Sequence, residues 1–365
     1  MGVAKTRNSG VDALKAFLIF GVILVHLIAA VMPETYSAVP RWISMAGVSY
    51  YFMPLFVAVA GYYFASTLQK SNPLVVVINK AAELLLPVCI WYGSYALIRG
   101  ADDLSLRSSI WVLYYGVYGK VWFLGATFAS LFLIVLIWCL AHGRGRVFIA
   151  LSAVCAVGLH FVYAPGSLIL KWNYHVPYLF PFAVLGYLFG QKKSCAWLAD
   201  MKCGLVCMVP YLLLCVFAPD NVSHWKTGTC LFSGVYSWQE VAWCSLYRNA
   251  LAVVGIAAMV PVLAFVWKRL SNNVLLEKVI CVVGRNTLAI YIVQSFVVER
   301  WIHGMELHQY AFFSEYATFM SWVGIPLAAV LITVALAYAC VGLKHIPYLG
   351  RVLFGCKLIQ YKKTL

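Results

Sequence analysis

The amino-acid sequence predicts an all-α fold, a polytopic integral membrane bundle of about ten transmembrane helices with both termini in the cytoplasm. Aliphatic, aromatic and Cys residues make up 64% of the 365 residues, charged residues only 11%, and the mean hydropathy is +0.87. A soluble domain cannot hide so much apolar surface. A helix needs about 20 residues to cross the bilayer core, so this length has room for about ten spans with short loops.

Apolar runs without charge, bounded by charged or Pro/Gly-rich turns, predict the individual spans. No segment alternates apolar and polar residues as a membrane β-strand does, so every run is interpreted as a helix. The sixth and ninth runs are the shortest. In chain order, the predicted spans are 13–32, 46–67, 81–98, 121–141, 147–163, 176–190, 203–218, 247–267, 286–301 and 322–343.

The distribution of charge predicts the orientation of these spans. Most of the 27 Lys and Arg residues collect at one set of span ends, and most acidic residues collect at the other. Short loops rich in Lys and Arg stay on the cytoplasmic side, so both termini are predicted to lie in the cytoplasm. We expect the membrane to be a bacterial cytoplasmic (inner) membrane. We expect a transmembrane domain over residues 1–343 and a basic tail over 344–365, either an interfacial helix or a solvated end. Residues 275–283 are a second candidate interfacial stretch.

Two basic residues in the first span are the first candidates for chemistry, because an ionisable group inside a membrane needs a partner or a function. His26 lies eleven residues after Lys15, which places both side chains on one helix face roughly 16 Å apart. A His can take a proton from a hydroxyl and return it to a thiolate leaving group, as acyl transfer requires. The alternative is a membrane His that is hydrogen-bonded to a neighbouring helix.

Motifs along most of the chain resemble those of the membrane-bound acyltransferase 3 family. The first span has a basic residue and, after ten intervening residues, a His, as that family does. Each further motif is weak alone, but their order and spacing are fairly specific. They are Asp12 before the Lys15 to His26 stretch, the Phe-rich stretch 53–64 with Gly61, Trp122 with the three residues after it, 181–187, and 284–294.

The resemblance implies transfer of a small acyl group, most simply acetyl, from cytoplasmic acetyl-CoA to a hydroxyl of a surface or lipid-linked glycan. By that resemblance His26 is the catalytic base, and Lys15, Lys80 and Arg285 bind acyl-CoA. The partners are then acyl-CoA, a carbohydrate acceptor and membrane lipids, with no nucleic acid, no metal and no permanently bound cofactor. Supporting positions carried over from the motifs are Asp12, Glu83, Trp122, Asn286, Tyr291 and Gln294.

Three departures from the family pattern leave other functions open. Lys15 replaces the usual Arg and lacks its bidentate phosphate contact, Glu83 stands where the family often has a second basic residue, and Gln294 replaces a frequent His. Glu83 can pair with Lys80, which we favour, or set the protonation of His26. The alternatives are a glycan exporter or flippase and a catalytically altered acyltransferase relative.

Polar and aromatic residues at the predicted outer span ends carry a weaker signal. Glu240 and Arg248, near the start of the eighth span, are interpreted as an interfacial ion pair rather than as groups that hold a sugar. The aromatic residues of the outer loops are interpreted as the belt that Trp and Tyr form at a membrane interface.

Overall fold

The computed structural model describes residues 8–31, 49–99, 121–159, 175–192, 200–218, 238–346 and 348–355. Within these ranges the regular structure is helical and there is no strand, which confirms the all-α prediction. The helices are α1 Ser9–Val31, α2 Ser49–Leu68, α3 Pro73–Leu84, α4 Leu86–Arg99, α5 Trp122–Ala141, α6 Gly145–Gly158, α7 Val176–Lys192, α8 Met201–Val216, α9 Trp238–Leu270, α10 Val274–Arg285, α11 Thr287–Phe296, α12 Ala311–Glu315, α13 Ala317–Phe319, α14 Ile325–His345 and α15 Leu349–Phe354.

Six helical stretches in the described part of the chain are long and apolar enough to cross a membrane, and a bent pair of helices makes a seventh. Three shorter apolar helices fall on the fifth, sixth and seventh predicted spans. The multi-pass fold is therefore confirmed, while the count of ten spans and the position of the termini stay predictions. The six stretches are Ser9–Val31, Tyr50–Leu68, Pro73–Trp91, Trp122–Ala141, Ala242–Leu270 and Ala317–His345.

The third span begins earlier than the sequence predicts and is interrupted. Its helix starts at Pro73, where the Asn72 side chain accepts a hydrogen bond from the Leu74 backbone N–H at 2.9 Å. An Asn cap followed by Pro at the first helical position is a strong start signal. The interruption at Leu85 lies two residues before Pro87, which has no N–H to continue the hydrogen-bond ladder. The predicted start at residue 81 is therefore wrong by about two turns.

The ninth predicted span is the second arm of a bent helix pair. Asn273 caps α10 by accepting hydrogen bonds from the backbone N–H groups of Leu275 and Leu276. Helix α10 contains the candidate interfacial stretch 275–283, and its axis turns by 71° into the helical arm Thr287–Ile302. Asn286 occupies the break and donates its side-chain amide to the Val282 carbonyl oxygen at 2.8 Å. The bend places two polar residues, Arg285 and Asn286, at one helix junction.

The chain divides into two compact units, and the first unit comprises Met1–Phe52, Ala196–Phe217 and Val253–His345. Within it, α1 packs against α10, α11, α14 and a π-helical turn at Val297–Ile302. A Cβ atom at Gly284 would overlap the Asp12 carbonyl oxygen, so α1 and α10 are in backbone contact there. Small residues permit such close approach between helices in a membrane.

The second unit comprises Met53–Cys195, Ala218–Ala252 and Ile346–Leu365. Within it, α5 packs against α3, α6 and α7, and α15 packs against α4. Close contacts between α2 and α7 depend on Gly61 and Gly186, where a Cβ would meet the backbone of the other helix. The indole of Trp91 donates to the Leu353 carbonyl oxygen at 2.9 Å, so the tail includes a docked turn of helix. Residues 356–365 of the predicted basic tail lie outside the described residues, and the predicted division at 343/344 stays a prediction.

Candidate active site

His26 lies in the last quarter of α1 and faces an acidic side chain from another segment of the first unit. Its Nε2 is 3.4 Å from Oε1 of Glu299, and Glu299 is only 10% exposed. Gln294 donates from Nε2 to the same Glu299 oxygen at 3.1 Å. The imidazole, the carboxylate and the amide thus form one polar group among otherwise apolar packed helices. We call His26 and Glu299 the His–Glu pair.

A local change in helix geometry explains why Gln294 and Glu299 meet. Residues five apart on an α-helix lie about 140° apart around the axis and do not face each other. Glu299 belongs to the π-helical turn Val297–Ile302, which has more residues per turn and brings residues five apart onto one face. Turns of this kind occur frequently at functional sites. The π-helical turn therefore directs Glu299 toward both Gln294 and His26.

A second polar group lies at the beginning of α1 and is organised by a buried carboxylate. Asp12 is 2% exposed, and its side chain contacts two cations. Lys15 Nζ is 3.4 Å from Oδ1 of Asp12, and Arg285 donates from Nε to Oδ2 at 3.3 Å. A buried carboxylate is tolerated in such a place because paired charges offset its loss of hydration.

A third cation reaches the same helix junction from α14. Lys344 donates from Nζ to Oδ1 of Asn286 at 2.7 Å, next to Arg285 in the sequence. The helices α1, α10 and α14 that carry these residues contact one another. We call Asp12, Lys15, Arg285 and Lys344 the Asp12 cluster. Its three cations outnumber its one carboxylate, so the cluster has the charge to bind an anion.

The remaining predicted residues of the first unit have supporting positions. Asn286 is 6% exposed and links Lys344 to the helix break. Tyr291 is 6% exposed on α11, between that break and Gln294. Gln294 is fully buried. These three residues lie on the arm that connects the Asp12 cluster to the His–Glu pair.

Two predicted residues, Lys80 and Glu83, form a local pair in the second unit. Lys80 donates from Nζ to Oε2 of Glu83 at 2.6 Å, one turn apart on α3. This is the pairing that the sequence favours for Glu83, and the carboxylate that contacts His26 is Glu299 instead. Trp122, at the start of α5, stacks on the ring of His175 with 3.7 Å between ring centres.

Comparison with known proteins identifies the family. Residues 8–342 match the model of the acyltransferase 3 family, which is described as an acyltransferase domain. The chain belongs to the acyltransferase 3 family. The resemblance carried by the sequence motifs is thus confirmed, and the protein is an acyltransferase.

Two curated relatives of this acyltransferase are both named Nodulation protein NolL. The relative from Mesorhizobium japonicum is 24% identical over 360 residues, which cover 96% of this chain and 90% of the relative. The relative from Sinorhizobium fredii is 25% identical over 305 residues, which cover 80% and 79%. No solved structure matches the acyltransferase.

The Asp12 cluster and the His–Glu pair contain two residues that the sequence analysis does not name as candidates. Glu299 is one of the acidic residues that the charge distribution assigns to the outer side, although it falls within the predicted span 286–301. An acid inside a predicted span was the signal that pointed to it. Lys344 follows the last predicted span and resembles any basic residue that marks a cytoplasmic end. No sequence signal distinguishes it.

Proposed function

We propose that this acyltransferase transfers a small acyl group, most simply acetyl, from acyl-CoA to a hydroxyl of a surface or lipid-linked glycan. The proposal includes a bacterial inner membrane, with the Asp12 cluster at the cytoplasmic end where acyl-CoA is available. The observation that supports it best is that the single helix α1 carries Asp12 and Lys15 near its start and, near its end, His26, which pairs with Glu299.

The Asp12 cluster has the charge that the acyl-CoA phosphates require. Coenzyme A has a diphosphate and a 3′-phosphate at one end and its thioester at the end of a long flexible arm. Lys15 and Arg285 are held at one place by a shared carboxylate, and both side chains carry charged N–H donors of the kind that bind phosphate oxygens. Lys15 and His26 are separated by roughly 16 Å along α1, so a ligand with distant phosphate and thioester groups suits the two sites.

His26 is the general base of the proposed reaction. Its imidazole takes the proton of the acceptor hydroxyl as the oxygen attacks the thioester carbonyl carbon, which forms a C–O bond and a tetrahedral intermediate. The C–S bond then breaks, and the imidazolium returns the proton to the departing thiolate. The products are the acylated glycan and free coenzyme A, so atoms and charges balance.

Glu299 orients the imidazole and stabilises the imidazolium that forms during the reaction. A carboxylate behind a catalytic His fixes which ring nitrogen carries the proton, as in other His–carboxylate pairs. Gln294 acts as a positioning residue, because its amide donates to the same Glu299 oxygen that contacts His26. The Gln in place of a His is thus compatible with a working site.

Lys80 is the remaining proposed acyl-CoA contact. Its side chain is 26% exposed, and its ammonium group pairs with Glu83. Binding of a phosphate by Lys80 would therefore replace the Glu83 carboxylate with the phosphate. Asn286 and Tyr291 are proposed to support the fold around the reacting groups, and Trp122 is proposed as a supporting residue of the second unit that does not itself react.

The proposal is tested with purified protein in detergent and [14C]acetyl-CoA. The acceptor is the glycan fraction extracted from membranes of cells that lack the gene. We expect radiolabel to enter the glycan fraction with the wild-type protein and release of one coenzyme A per acyl group transferred. The variant His26→Ala should lose about 99% or more of this transfer, because the acceptor hydroxyl no longer has an imidazole to take its proton.

The matched control is His303→Ala, which removes an exposed His from the same unit. It should retain wild-type transfer. Full transfer by His26→Ala would contradict the assignment of the base. A wild-type protein that consumes no acetyl-CoA and instead moves unmodified glycan across a vesicle membrane would establish the exporter alternative.

A further inference from the structure

A third group of polar and aromatic side chains lies in the second unit, at or near the start of α5 and α7 and in the first half of α9. Trp122 is the first residue of α5, His175 precedes α7, and Tyr178 lies in the first turn of α7. Arg248 and Asn249 lie in the first half of α9. His175 stacks on Trp122, Arg248 lies over Tyr178 and acts on His175 through its charge, and Asn249 is the residue that follows Arg248 on α9. We call these five residues the aromatic–arginine cluster. The sequence predicts that these parts of the three helices lie toward the outer face of the membrane.

Arg248 is the charged member of this cluster, and it is deeply buried. It is only 4% exposed, and its guanidinium carbon lies 3.5 Å from the centre of the Tyr178 ring. The sequence-based interpretation of Arg248 as half of an interfacial ion pair with Glu240 stays a prediction. Burying a cation in a membrane protein costs several kcal/mol, so such a residue by default suggests a function. The Tyr178 ring offsets part of that cost through its cation–π interaction.

Two hydrogen-bonding atoms of the cluster lack partners in the described part of the chain. They are Nδ1 of His175 and Oδ1 of Asn249, both buried. The Asn249 amide orientation is fixed, because its Nδ2 donates to the Ser245 carbonyl oxygen at 2.9 Å. Oδ1 therefore remains as an acceptor. Buried polar atoms in proteins are nearly always satisfied, so two exceptions in one cluster indicate a ligand that supplies the missing partners.

His175 takes part as a neutral ring. Burial, helped by the positive charge of Arg248, lowers the pKa of His175 to about 3. The ring stacks nearly parallel to Trp122, with an angle of 28° between the planes. A neutral imidazole pairs equally well with a hydroxyl that donates or one that accepts, depending on its tautomer.

The donor and acceptor pattern distinguishes between two classes of ligand. Arg248 is a donor and would suit a phosphate, but a phosphate oxygen has no proton to give to Oδ1 of Asn249. A sugar has hydroxyl groups that both donate and accept, and its C–H face packs against aromatic rings such as those of Trp122 and Tyr178. The set of groups therefore fits a sugar better than the phosphates of acyl-CoA.

We propose that the aromatic–arginine cluster is the binding site for the carbohydrate acceptor. This inference rests on the proposed function, because it supplies the second substrate of that reaction. Asn249 accepts a hydrogen bond from a sugar hydroxyl, and Arg248 donates to a sugar oxygen. Trp122 and Tyr178 provide the apolar surface for the ring.

The test removes the acceptor atom of Asn249 with Asn249→Leu, which keeps a similar side-chain volume. The probe is the glycan fraction from membranes of cells that lack the gene, titrated at saturating [14C]acetyl-CoA. We expect the half-saturating amount of glycan fraction to rise about tenfold or more, because the sugar hydroxyl loses a buried partner. The KM for acetyl-CoA should change less than twofold. Arg248→Lys should show the same split, and it serves as the second variant if Asn249→Leu fails to fold.

The matched control is Ser152→Ala on α6, which removes another buried polar atom without a hydrogen-bond partner in the described residues of this unit. It should leave both half-saturation values unchanged. Equal changes in both values for Asn249→Leu and Arg248→Lys, or no change in either, would overturn the proposal.

A binding measurement separates failure of this inference from failure of the proposed function. The glycan fraction alone should raise the Tm of the wild-type protein and of Ser152→Ala, but not that of Asn249→Leu. This result would stand even if no acetyl transfer were detected. Absence of a shift for the wild type would overturn the acceptor site, whatever the catalytic result.

Discussion

The two polar groups of the first unit differ in charge. The Asp12 cluster has three cations and one carboxylate, and two of the cations, Lys15 and Arg285, contact that carboxylate. The His–Glu pair has one titratable base and one acid, and Glu299 is 10% exposed. A group with an excess of cations is suited to binding an anion, whereas a base paired with an acid is suited to moving a proton. Substitutions should therefore affect KM at the first group and kcat at the second.

The largest effect is expected for Glu299→Gln, which keeps the shape of the side chain and removes its charge. The imidazolium that forms during the reaction loses its counter-charge, so kcat should fall about 100-fold or more while the KM for acetyl-CoA changes little. Initial rates over a range of acetyl-CoA concentrations measure both constants. Glu315→Gln, an exposed acid of the same unit, is the control. A fall in affinity without a fall in kcat would end the distinction between the two groups.

The next effect concerns the helix contact that supports the Asp12 cluster. Gly284→Ala places a methyl group against the Asp12 backbone, which is unable to move without displacing α1. We expect the free energy of unfolding to fall by about 1–3 kcal/mol, as for other overpacked sites, and the KM for acetyl-CoA to rise. Thermal unfolding in detergent measures the stability.

Gly158→Ala on α6 is the matched control, because its added methyl group meets no atom within 4 Å. It should be neutral or slightly stabilising. If the two alanine variants unfold at the same temperature, the close contact between α1 and α10 is not needed for stability.

A smaller effect is expected for Lys344→Met, which removes one of the three cations but keeps the aliphatic stem. Loss of one charge-assisted contact with phosphate should raise the KM for acetyl-CoA about tenfold and leave kcat nearly unchanged. The control is Lys268→Met, an exposed basic residue at the end of α9. A kcat effect as large as that of Glu299→Gln would mean that Lys344 acts in the chemistry.

The smallest effect is expected for the Lys80 and Glu83 pair. Because both side chains are partly exposed, the pair should contribute less than about 1 kcal/mol to stability. If Lys80 also binds acyl-CoA, Lys80→Met should raise the KM for acetyl-CoA, whereas Glu83→Gln should leave it equal or lower. Parallel KM changes in the two variants would show that only their mutual contact matters.

Much of the architecture could be predicted from the sequence because the bilayer imposes long apolar helices. The spans near residues 13–32, 121–141 and 322–343 coincide with long apolar helices. Boundaries were less accurate where local signals compete. The charge of Lys80 predicts a span edge at residue 81, whereas the Asn72 cap and Pro73 begin the helix eight residues earlier.

Candidate residues on a single helix were easier to find than partners on different helices. Spacing along one helix is enough to relate Lys15 to His26. Glu299 is 273 positions from His26 in the sequence, and Lys344 is 329 positions from Lys15, so periodicity carries no information about them. The Lys80 and Glu83 pair was predicted because its members are one turn apart.

The sequence by itself determined that this protein is helical, crosses a membrane several times and resembles the acyltransferase 3 family, because composition and local motifs carry that information. Tertiary structure alone decided which carboxylate faces His26, which cations surround Asp12 and that Arg248 is buried. The physical reason is that helix packing brings together residues distant in sequence. Neither a π-helical turn at Glu299 nor a 71° bend at Asn286 leaves a periodic trace in the sequence.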